Sequence, residues 1–261
     1  MLLIGLGSCK KNQTPPGFNP GTENPIALHH YRLGWMQIMD YGEWTKAENS
    51  FRTATKADPN FALGNCLVGR ISTNMAERKR LLEKITAQEK NATKDQRLLI
   101  EIYKSSIIRM NNREMGIQIP DTLKAVRYLL AENNSKKFVQ KYPEEDYVKA
   151  EYIEILHSKY GPETALDSLE FLTNSLQKVL PFYLGYAATL HAEIGNYGEA
   201  SLLLQVLKNR QNDTLRPNYY LSKGQVYKEF DSIALAKKYI KKAIALDTNH
   251  LIAKRLLNSF H

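Results

Sequence analysis

The chain has 261 residues, of which 43% are hydrophobic and 24% are charged, proportions that are typical of a folded protein. Its formal net charge of +9 would permit contact with nucleic acid, but 27 acidic residues are dispersed among the basic ones. No stripe of aromatic and basic residues accompanies this charge, so we expect no nucleic-acid binding. No apolar run approaches the ~20 residues that a membrane-spanning helix needs.

The first predicted element is a short apolar stretch, residues 1–7, at the end of which stands Leu6-Gly7-Ser8-Cys9. An aliphatic residue, two small residues and a cysteine resemble the lipobox of bacterial lipoproteins, in which the cysteine is lipidated. The resemblance implies a signal-peptide remnant over residues 1–8, cleavage after Ser8 and a lipid anchor on Cys9. The basic segment that normally opens a signal peptide is missing. The alternative is an accidental match at a disordered, cytoplasmic N-terminus.

Residues 9–25 form the second predicted unit, a lipidated cysteine followed by a tether. Residues 10–25 contain four prolines, two glycines and few apolar groups. Such a segment cannot bury enough apolar surface to offset the entropy lost on ordering, so we predict that it is disordered. The other cysteine, Cys66, lies in an apolar helical stretch, which predicts a small buried thiol.

Residues 26–261 are predicted to be helical, because one pattern recurs along them. A tight turn is followed by a large apolar residue and, three residues later, by an alanine. The pattern occurs at Gly42, Trp44 and Ala47, at Gly195, Tyr197 and Ala200, and at Asp231, Ile233 and Ala236. The last two copies are 36 residues apart, a length typical of one helical hairpin in a solenoid.

The predicted helices form about six hairpins and a final capping helix. Their limits are 30–38 and 44–57, 60–72 and 76–88, 93–110 and 120–141, 144–159 and 162–179, and 251–260 for the cap. Two further hairpins are marked by Leu184 and Ala200, and by Gly224 and Ala236. Residues 111–119 are predicted to be a protruding loop. No alternating run of Val, Ile and Thr competes as a strand, so the predicted fold class is all-α.

This pattern resembles the tetratricopeptide repeat family. In the first hairpin Leu33-Gly34 is followed by Ala47, Phe51 and Ala54 on one helical face, and Asp58-Pro59 closes the unit. The resemblance covers residues 26–261 and implies a right-handed α-solenoid of about six such hairpins. Alanine or glycine at the seams lets two helix backbones approach closely. One departure is that Gly34 and Ala47 lie one residue further apart than the family spacing.

Patterns that carry chemistry are sparse. None of the six histidines has another histidine or a cysteine three or four residues away, so we expect no metal site. The sequence contains no nucleophile elbow, phosphate-binding loop or dinucleotide fingerprint. We therefore expect a protein that is not an enzyme, that has no cofactor and that binds no small-molecule substrate.

In tetratricopeptide repeat proteins the inner, concave surface formed by the first helices binds a partner. The resemblance therefore implies a peptide groove, whose candidate residues are Arg32, Met36, Phe182, Thr189, Asn218, Gln225 and Lys228. This set lacks the two-lysine, two-asparagine clamp with which some members of the family hold a terminal carboxylate. We expect a groove of mixed apolar and neutral polar character.

The predicted function is a non-enzymatic scaffold of the bacterial envelope that binds a partner protein or peptide in this groove. Lys10, rather than an aspartate, follows Cys9, which favours the outer membrane, with the chain facing the periplasm. Two alternatives stay open. One is a lipoprotein that assists outer-membrane or pilus assembly. The other, if the Cys9 match is accidental, is a cytoplasmic regulatory module.

Overall fold

The computed structural model describes residues 17–211 and 216–260. Within these two ranges the chain forms fourteen α-helices and no strand, which confirms the predicted all-α class. The helices are α1 (Pro25–Met36), α2 (Trp44–Ala57), α3 (Ala62–Ile71), α4 (Met75–Gln88), α5 (Lys94–Glu114), α6 (Asp121–Lys141), α7 (Asp146–Tyr160), α8 (Pro162–Leu172), α9 (Ser175–Lys178), α10 (Pro181–Glu193), α11 (Tyr197–Arg210), α12 (Pro217–Glu229), α13 (Ile233–Leu246) and α14 (Leu251–Asn258). A π-helical turn, Gln37–Tyr41, extends α1. No helix in these ranges combines the length and the apolar content needed to cross a bilayer.

In the described part of the chain, consecutive helices pack side by side as six pairs. The pairs are α1 with α2, α3 with α4, α5 with α6, α7 with α8, α10 with α11, and α12 with α13. Neighbouring pairs touch through contacts such as those of α2 with α3, α4 with α5, and α10 with α12. The final helix, α14, packs on α13. The number of pairs agrees with the prediction of about six hairpins and one last helix.

Three predicted helices differ from the observed ones by more than two residues, and one of these differences affects the candidate site. Helix α1 begins at Pro25 and not at His30. Helix α5 continues past residue 110 to Glu114 and takes in part of the predicted loop. Because of this extension, Arg109 and Arg113 lie one turn apart on the same helical face. The predicted helix 162–179 is instead two helices, because Asn174 and Gln177 form a capping box that starts α9.

Glycines at the predicted seam positions allow close helix packing. A Cβ atom on Gly34 would lie 2.4 Å from the Cε1 atom of Phe51. One on Gly224 would lie 2.6 Å from the Cγ1 atom of Ile240. Non-bonded carbon atoms do not approach so closely, since their optimal separation is about 3.5–4.0 Å. The predicted close approach is therefore confirmed at both glycines.

The π-helical turn Gln37–Tyr41 lies between Gly34 and Ala47, the pair whose spacing is one residue longer than the resemblance predicts. A π-helix closes its hydrogen bonds over five residues instead of four, so it takes up one extra residue within the helix. The N–H group of Gly42 donates to the carbonyl oxygen of Gln37. Gly42 then ends the helix with a φ of 69°, a left-handed conformation that glycine adopts at little cost. Asp40, within the turn, is buried.

Residues 17–24 pack against the helices. The ring of Phe18 lies edge-on to that of Phe138 on α6, with ring centroids 4.7 Å apart. The carbonyl oxygen of Asn19 accepts a hydrogen bond of 3.0 Å from the Gln96 side chain on α5. The segment therefore has both apolar and hydrogen-bonding partners in the fold.

These contacts correct the predicted tether, residues 9–25. Its last part belongs to the packed structure, because the rings of α6 bury Phe18 and offset the entropy of ordering. Residues 9–16 of the tether lie outside the described ranges, as do the predicted signal-peptide remnant and the lipidation site, Cys9. Cys66 is buried, as predicted, and burial raises the pKa of its thiol.

The turn between α1 and α2 reaches later helices through Asp40. The Tyr147 hydroxyl donates to Oδ2 of Asp40 at 2.7 Å, and the N–H group of Phe182 donates to Oδ1 at 3.1 Å. Phe182 is the second residue of α10, and Leu180 at the start of that helix provides no side-chain cap. The Asp40 carboxyl group therefore caps α10 from a distant part of the chain. The Asn218 side chain also donates to the Asp40 carbonyl oxygen, at 3.2 Å.

A second carboxylate caps α2 in the same way. Asp247, at the end of α13, accepts hydrogen bonds from the N–H group of Thr45 at 2.8 Å and from its hydroxyl at 2.7 Å. Thr45 is the second residue of α2, where Glu43 makes no side-chain cap. Glu43 instead pairs with Arg216 at 2.5 Å. These contacts join the first helix pair to the last ones, an arrangement that the sequence did not predict.

Candidate functional site

A cavity of about 400 Å³ lies next to the turn between α1 and α2. Residues of α3, α5, α7, α10, α12 and α14 also line it. We call it the central cavity. Much of its wall is apolar and is formed by Trp35, Ile38, Met39, Trp44, Phe51, Leu67, Ile71, Phe182 and Leu221. Trp35 and Trp44 are the two tryptophans of the chain. The volume falls within the range of about 300–1,000 Å³ that is usual for small-molecule pockets.

A second cavity, of about 600 Å³, adjoins the first between α3, α5, α6 and α7, and we call it the side cavity. Six residues line both spaces: Arg70, Ser106, Arg109, Arg113, Glu151 and Glu154. Arg127 and Tyr128 line the side cavity and not the central one. The shared residues therefore form a polar boundary between the two cavities.

At this boundary Arg70 and Glu151 neutralise each other. Nη2 of Arg70 lies 2.6 Å from Oε1 of Glu151, and the Tyr103 hydroxyl donates to Oε2 of Glu151 at 2.9 Å. The guanidinium carbon of Arg70 also lies 4.5 Å from the centroid of the Tyr103 ring, a cation–π contact. The pair is thus fixed in place by α3, α5 and α7 and contributes no net charge to the cavities.

Glu154 lies one turn after Glu151 on α7 and also lines both cavities. Burial, together with the repulsion of Glu151, raises the pKa of the Glu154 carboxyl group to about 7. Arg70 and His157 have smaller, opposite effects on this pKa. At neutral pH the carboxyl group is therefore protonated about half of the time. It therefore compensates about half of one positive charge around it.

Three arginines of the central cavity form no ion pair with any residue of the described ranges. Arg109 and Arg113 extend from α5, and Arg255 extends from α14. Burial lowers the pKa of Arg255, and the charges of Arg113 and Arg109 lower it further. Arg109 and Arg113 are therefore each close enough to repel Arg255. The central cavity carries an excess of positive charge.

The wall beside Gly42 holds a buried hydrogen-bond donor. His250 is 1% exposed, and its Nδ1 atom accepts a hydrogen bond of 3.4 Å from the N–H group of Ala253. The proton of the neutral ring is therefore on Nε2. Nε2 has no acceptor within the described ranges. Burial lowers the pKa of His250 to about 4, so the ring is uncharged at neutral pH.

The structure brings together three of the seven predicted groove residues. Phe182, Asn218 and Gln225 line the central cavity. Asn218 is buried and already donates to Asp40, so Phe182 and Gln225 are the two of the three that remain available to a partner. The predicted mixture of apolar and neutral polar side chains is present on this wall, next to a strongly basic one.

The other four predicted groove residues do not line the central cavity. Thr189 is buried and donates to the carbonyl oxygen of Gly185 in its own helix, so it does not face an open groove. Lys228 is exposed and pairs with Glu229 at 2.7 Å. Arg32 is exposed and Met36 is half-buried, and neither reaches either cavity.

Sequence reasoning missed the basic wall, Arg109, Arg113 and Arg255. A signal existed for the first two, because arginines four residues apart on a helix share a face. No local pattern places α14 across the cavity from α5. That arrangement depends on the bond between Asp247 and Thr45, which joins residues far apart in the sequence.

A scan against models of protein families gave no match, and no curated protein sequence matched the chain. The function is therefore inferred from the two cavities and the residues around them.

Proposed function

We propose that the chain is a non-enzymatic binding protein of the bacterial envelope, built as a tetratricopeptide-like solenoid and anchored by lipid on Cys9. Its partner is a protein or peptide, an apolar segment of which enters the groove at the central cavity. The observation that supports this proposal most is the position of Phe182 and Gln225. Both were predicted from the repeat pattern as groove residues, and both line one apolar cavity.

The solenoid itself is supported by the order of contacts along the chain. Each helix pair packs on its neighbour, and the seam glycines Gly34 and Gly224 fall where the repeat pattern requires small residues. In such a solenoid the turn between α1 and α2 would lie on the concave side. This turn would narrow the groove, and the central cavity would be the part of the groove that stays open.

A photoreactive residue introduced at Gln225 tests the groove in intact cells. Lys228, one turn further along α12, is exposed and does not line the cavity, so it serves as the matched control. We expect a defined envelope protein to be crosslinked from position 225 and not from position 228, with mass spectrometry as the readout. Crosslinking of nothing from position 225, or of the same proteins from both positions, would contradict a partner in the groove.

Metabolic labelling with palmitate tests the anchor separately. We expect the label on the wild-type chain, its loss in Cys9→Ala, and its retention in Cys66→Ala, because Cys66 is buried in the helical core. An unlabelled wild type would move the protein to the cytoplasm and favour a regulatory module instead.

A further inference from the structure

The central cavity combines three features that a protein groove does not require. Its wall is largely apolar and includes Ile38, Trp44 and Phe182, which are half-buried and so leave apolar surface for a ligand. Its basic wall has three arginines without ion pairs in the described ranges. Its third feature is the buried, unpaired Nε2–H donor of His250. Together these features fit a ligand with an apolar body and an anionic end.

We propose that the central cavity binds a small amphipathic organic anion, with its apolar chain against Trp44 and Phe182 and its anionic group facing Arg109, Arg113 and Arg255. The ligand class is a monocarboxylate, or a similar singly charged anion, with an aliphatic or aromatic body. This inference goes beyond the proposed partner binding, because it needs no second protein and is tested on the chain alone.

The charges around the cavity favour an anion over a neutral ligand. The Arg70–Glu151 pair has no net charge, and the pKa of Glu154 lies near 7, so at neutral pH Glu154 offsets about half of one positive charge. Arg109, Arg113 and Arg255 are exposed residues of the cavity lining, and the charges of Arg109 and Arg113 both act on Arg255. An anion between them would relieve that repulsion and form charge-assisted hydrogen bonds, which are about twice as strong as neutral ones.

His250 lies in the wall of the central cavity, next to Gly42. Nε2 of this residue lies 3.1 Å from the position of a Cβ atom on Gly42, and both residues line the central cavity. A buried donor without an acceptor costs about 1–3 kcal/mol in a folded protein. Because the Nε2 atom is itself buried, the anionic group of the ligand is assigned to the arginines and not to His250.

The central cavity fits better than the side cavity, although Arg109 and Arg113 line both. Exposed apolar residues line both cavities, Ile117 and Tyr128 in the side cavity and Ile252 in the central one, so the choice depends on Arg255 and on the aromatic surface of Trp44 and Phe182, which belong to the central cavity alone. Arg255 lines the central cavity only, and Arg127 lines the side cavity only. This division provides a control for the experiment.

Tryptophan fluorescence provides the assay, because both tryptophans of the chain line the central cavity. The full-length chain is titrated with ω-bromoundecanoate, whose bromine quenches a nearby tryptophan. The matched neutral probe is ω-bromoundecanol, and inorganic phosphate provides the charge without an apolar body. We expect saturable quenching by the acid at a concentration about tenfold lower than by the alcohol, as expected for one charge-assisted contact. Phosphate alone should compete poorly with the acid.

Three substitutions locate the anionic group. We expect Arg109→Gln and Arg255→Gln each to weaken binding of the acid about threefold to tenfold, with little effect on the alcohol, whereas Arg127→Gln should leave both unchanged. Raising the salt concentration on the wild-type chain should also weaken the acid selectively. This measurement needs no variant, so it remains decisive if a substitution prevents folding.

Several results would overturn the proposal. Equal affinity for the acid and the alcohol would mean that the arginines do not contribute to binding. If phosphate displaced the acid at concentrations similar to those at which the acid itself binds, the apolar wall would not contribute. Loss of binding in Arg127→Gln, with none in Arg255→Gln, would place the ligand in the side cavity. Absence of quenching by the acid on the wild type would exclude the site altogether.

Discussion

Replacing Asp40 by alanine tests whether a buried carboxyl group holds the turn between α1 and α2 against α7 and α10. Asp40 is 4% exposed and accepts hydrogen bonds from the Tyr147 hydroxyl at 2.7 Å and from the Phe182 N–H group at 3.1 Å. Alanine would leave both donors in the interior without an acceptor. The bond from Asn218 would remain, because it goes to the main-chain oxygen of residue 40.

The expected cost follows from these two donors. A buried donor left unpaired costs about 1–3 kcal/mol, so two of them would cost about 2–6 kcal/mol. Burial raises the pKa of Asp40, which means that the folded state also bears the cost of desolvating a carboxylate. Alanine removes that cost. We therefore expect the free energy of unfolding to fall by about 2–4 kcal/mol, the lower part of the range.

Urea unfolding of the wild type, Asp40→Ala, Tyr147→Phe and the double variant measures this effect. Tyr147→Phe removes one donor and leaves the bond from Phe182, so we expect a loss of about 1 kcal/mol. Both single variants break the same hydrogen bond, so the double variant should lose about 1 kcal/mol less than the two single losses combined. Hydrogen exchange at the Phe182 amide should accelerate in Asp40→Ala and stay slow in Tyr147→Phe.

The reasoning would be refuted by an Asp40→Ala variant within about 0.5 kcal/mol of the wild type, the range of ordinary surface substitutions. It would also be refuted by strictly additive losses in the double variant. Either result would mean that other contacts, such as those of Thr45 with Asp247, hold the turn between α1 and α2 in place.

Three other substitutions, also measured by urea unfolding, test the buried charges and the close packing. The folded-state pKa of Glu154 is raised from 4.5 to about 7, so its stabilising contribution is complete below pH 4.5 and is lost as the pH rises through 7. The free energy of unfolding of Glu154→Gln, relative to that of the wild type, should therefore rise by about 1–3 kcal/mol between about pH 4.5 and pH 8. The pKa of His250 is lowered from 6.5 to about 4, so its contribution is present above pH 6.5 and is lost as the pH falls through 4. His250→Asn keeps a side-chain cap for α14. Its free energy of unfolding, relative to that of the wild type, should rise by about 2–3 kcal/mol as the pH falls from 6.5 to about 4. Gly34→Ala should cost about 1–3 kcal/mol, because the new Cβ atom would lie 2.4 Å from the Phe51 ring.

Each of these three predictions has its own control. For the two titrating residues, the difference in stability between variant and wild type must change with pH in the stated direction, and a constant difference would contradict the assigned pKa. For Gly34, the control is Gly198→Ala on α11, where no atom lies within 4 Å of the added Cβ. That change should be neutral or stabilising by about 1 kcal/mol, and an equal loss at both glycines would argue against tight packing at the seam.

The helix pairs could be predicted from the sequence because their determinants are local. A seam glycine, a turn residue and an alanine lie within one hairpin, and Gly34 and Gly224 both fell at close contacts. The end of α5 was missed because Asn111 and Asn112, which are poor helix formers, suggested a loop. The helix in fact continues to Glu114, and Gly116 with a φ of 70° follows.

The candidate site could be predicted only in part, because its two walls have different origins. Phe182 and Gln225 were predicted from the repeat pattern, and both line the central cavity. The basic wall requires α14 to lie opposite α5. Nothing near Asp40 or Asp247 in the sequence shows that each would cap a helix at the far end of the chain.

These two distant caps have a consequence for the cavity itself. In a simple solenoid each unit contacts only its neighbours, so the ends unfold independently. Here Asp247 caps α2, and Asp40 caps α10, so the unfolding of the last helix pair removes a cap from the first. The central cavity is bounded by both ends of the fold, through Trp35 and Trp44 on one side and Arg255 on the other. A ligand in the cavity can bind only when both ends are folded. Its binding should therefore raise the stability of the first and the last helix pairs together, by an amount that grows with the logarithm of the ligand concentration once this exceeds the dissociation constant.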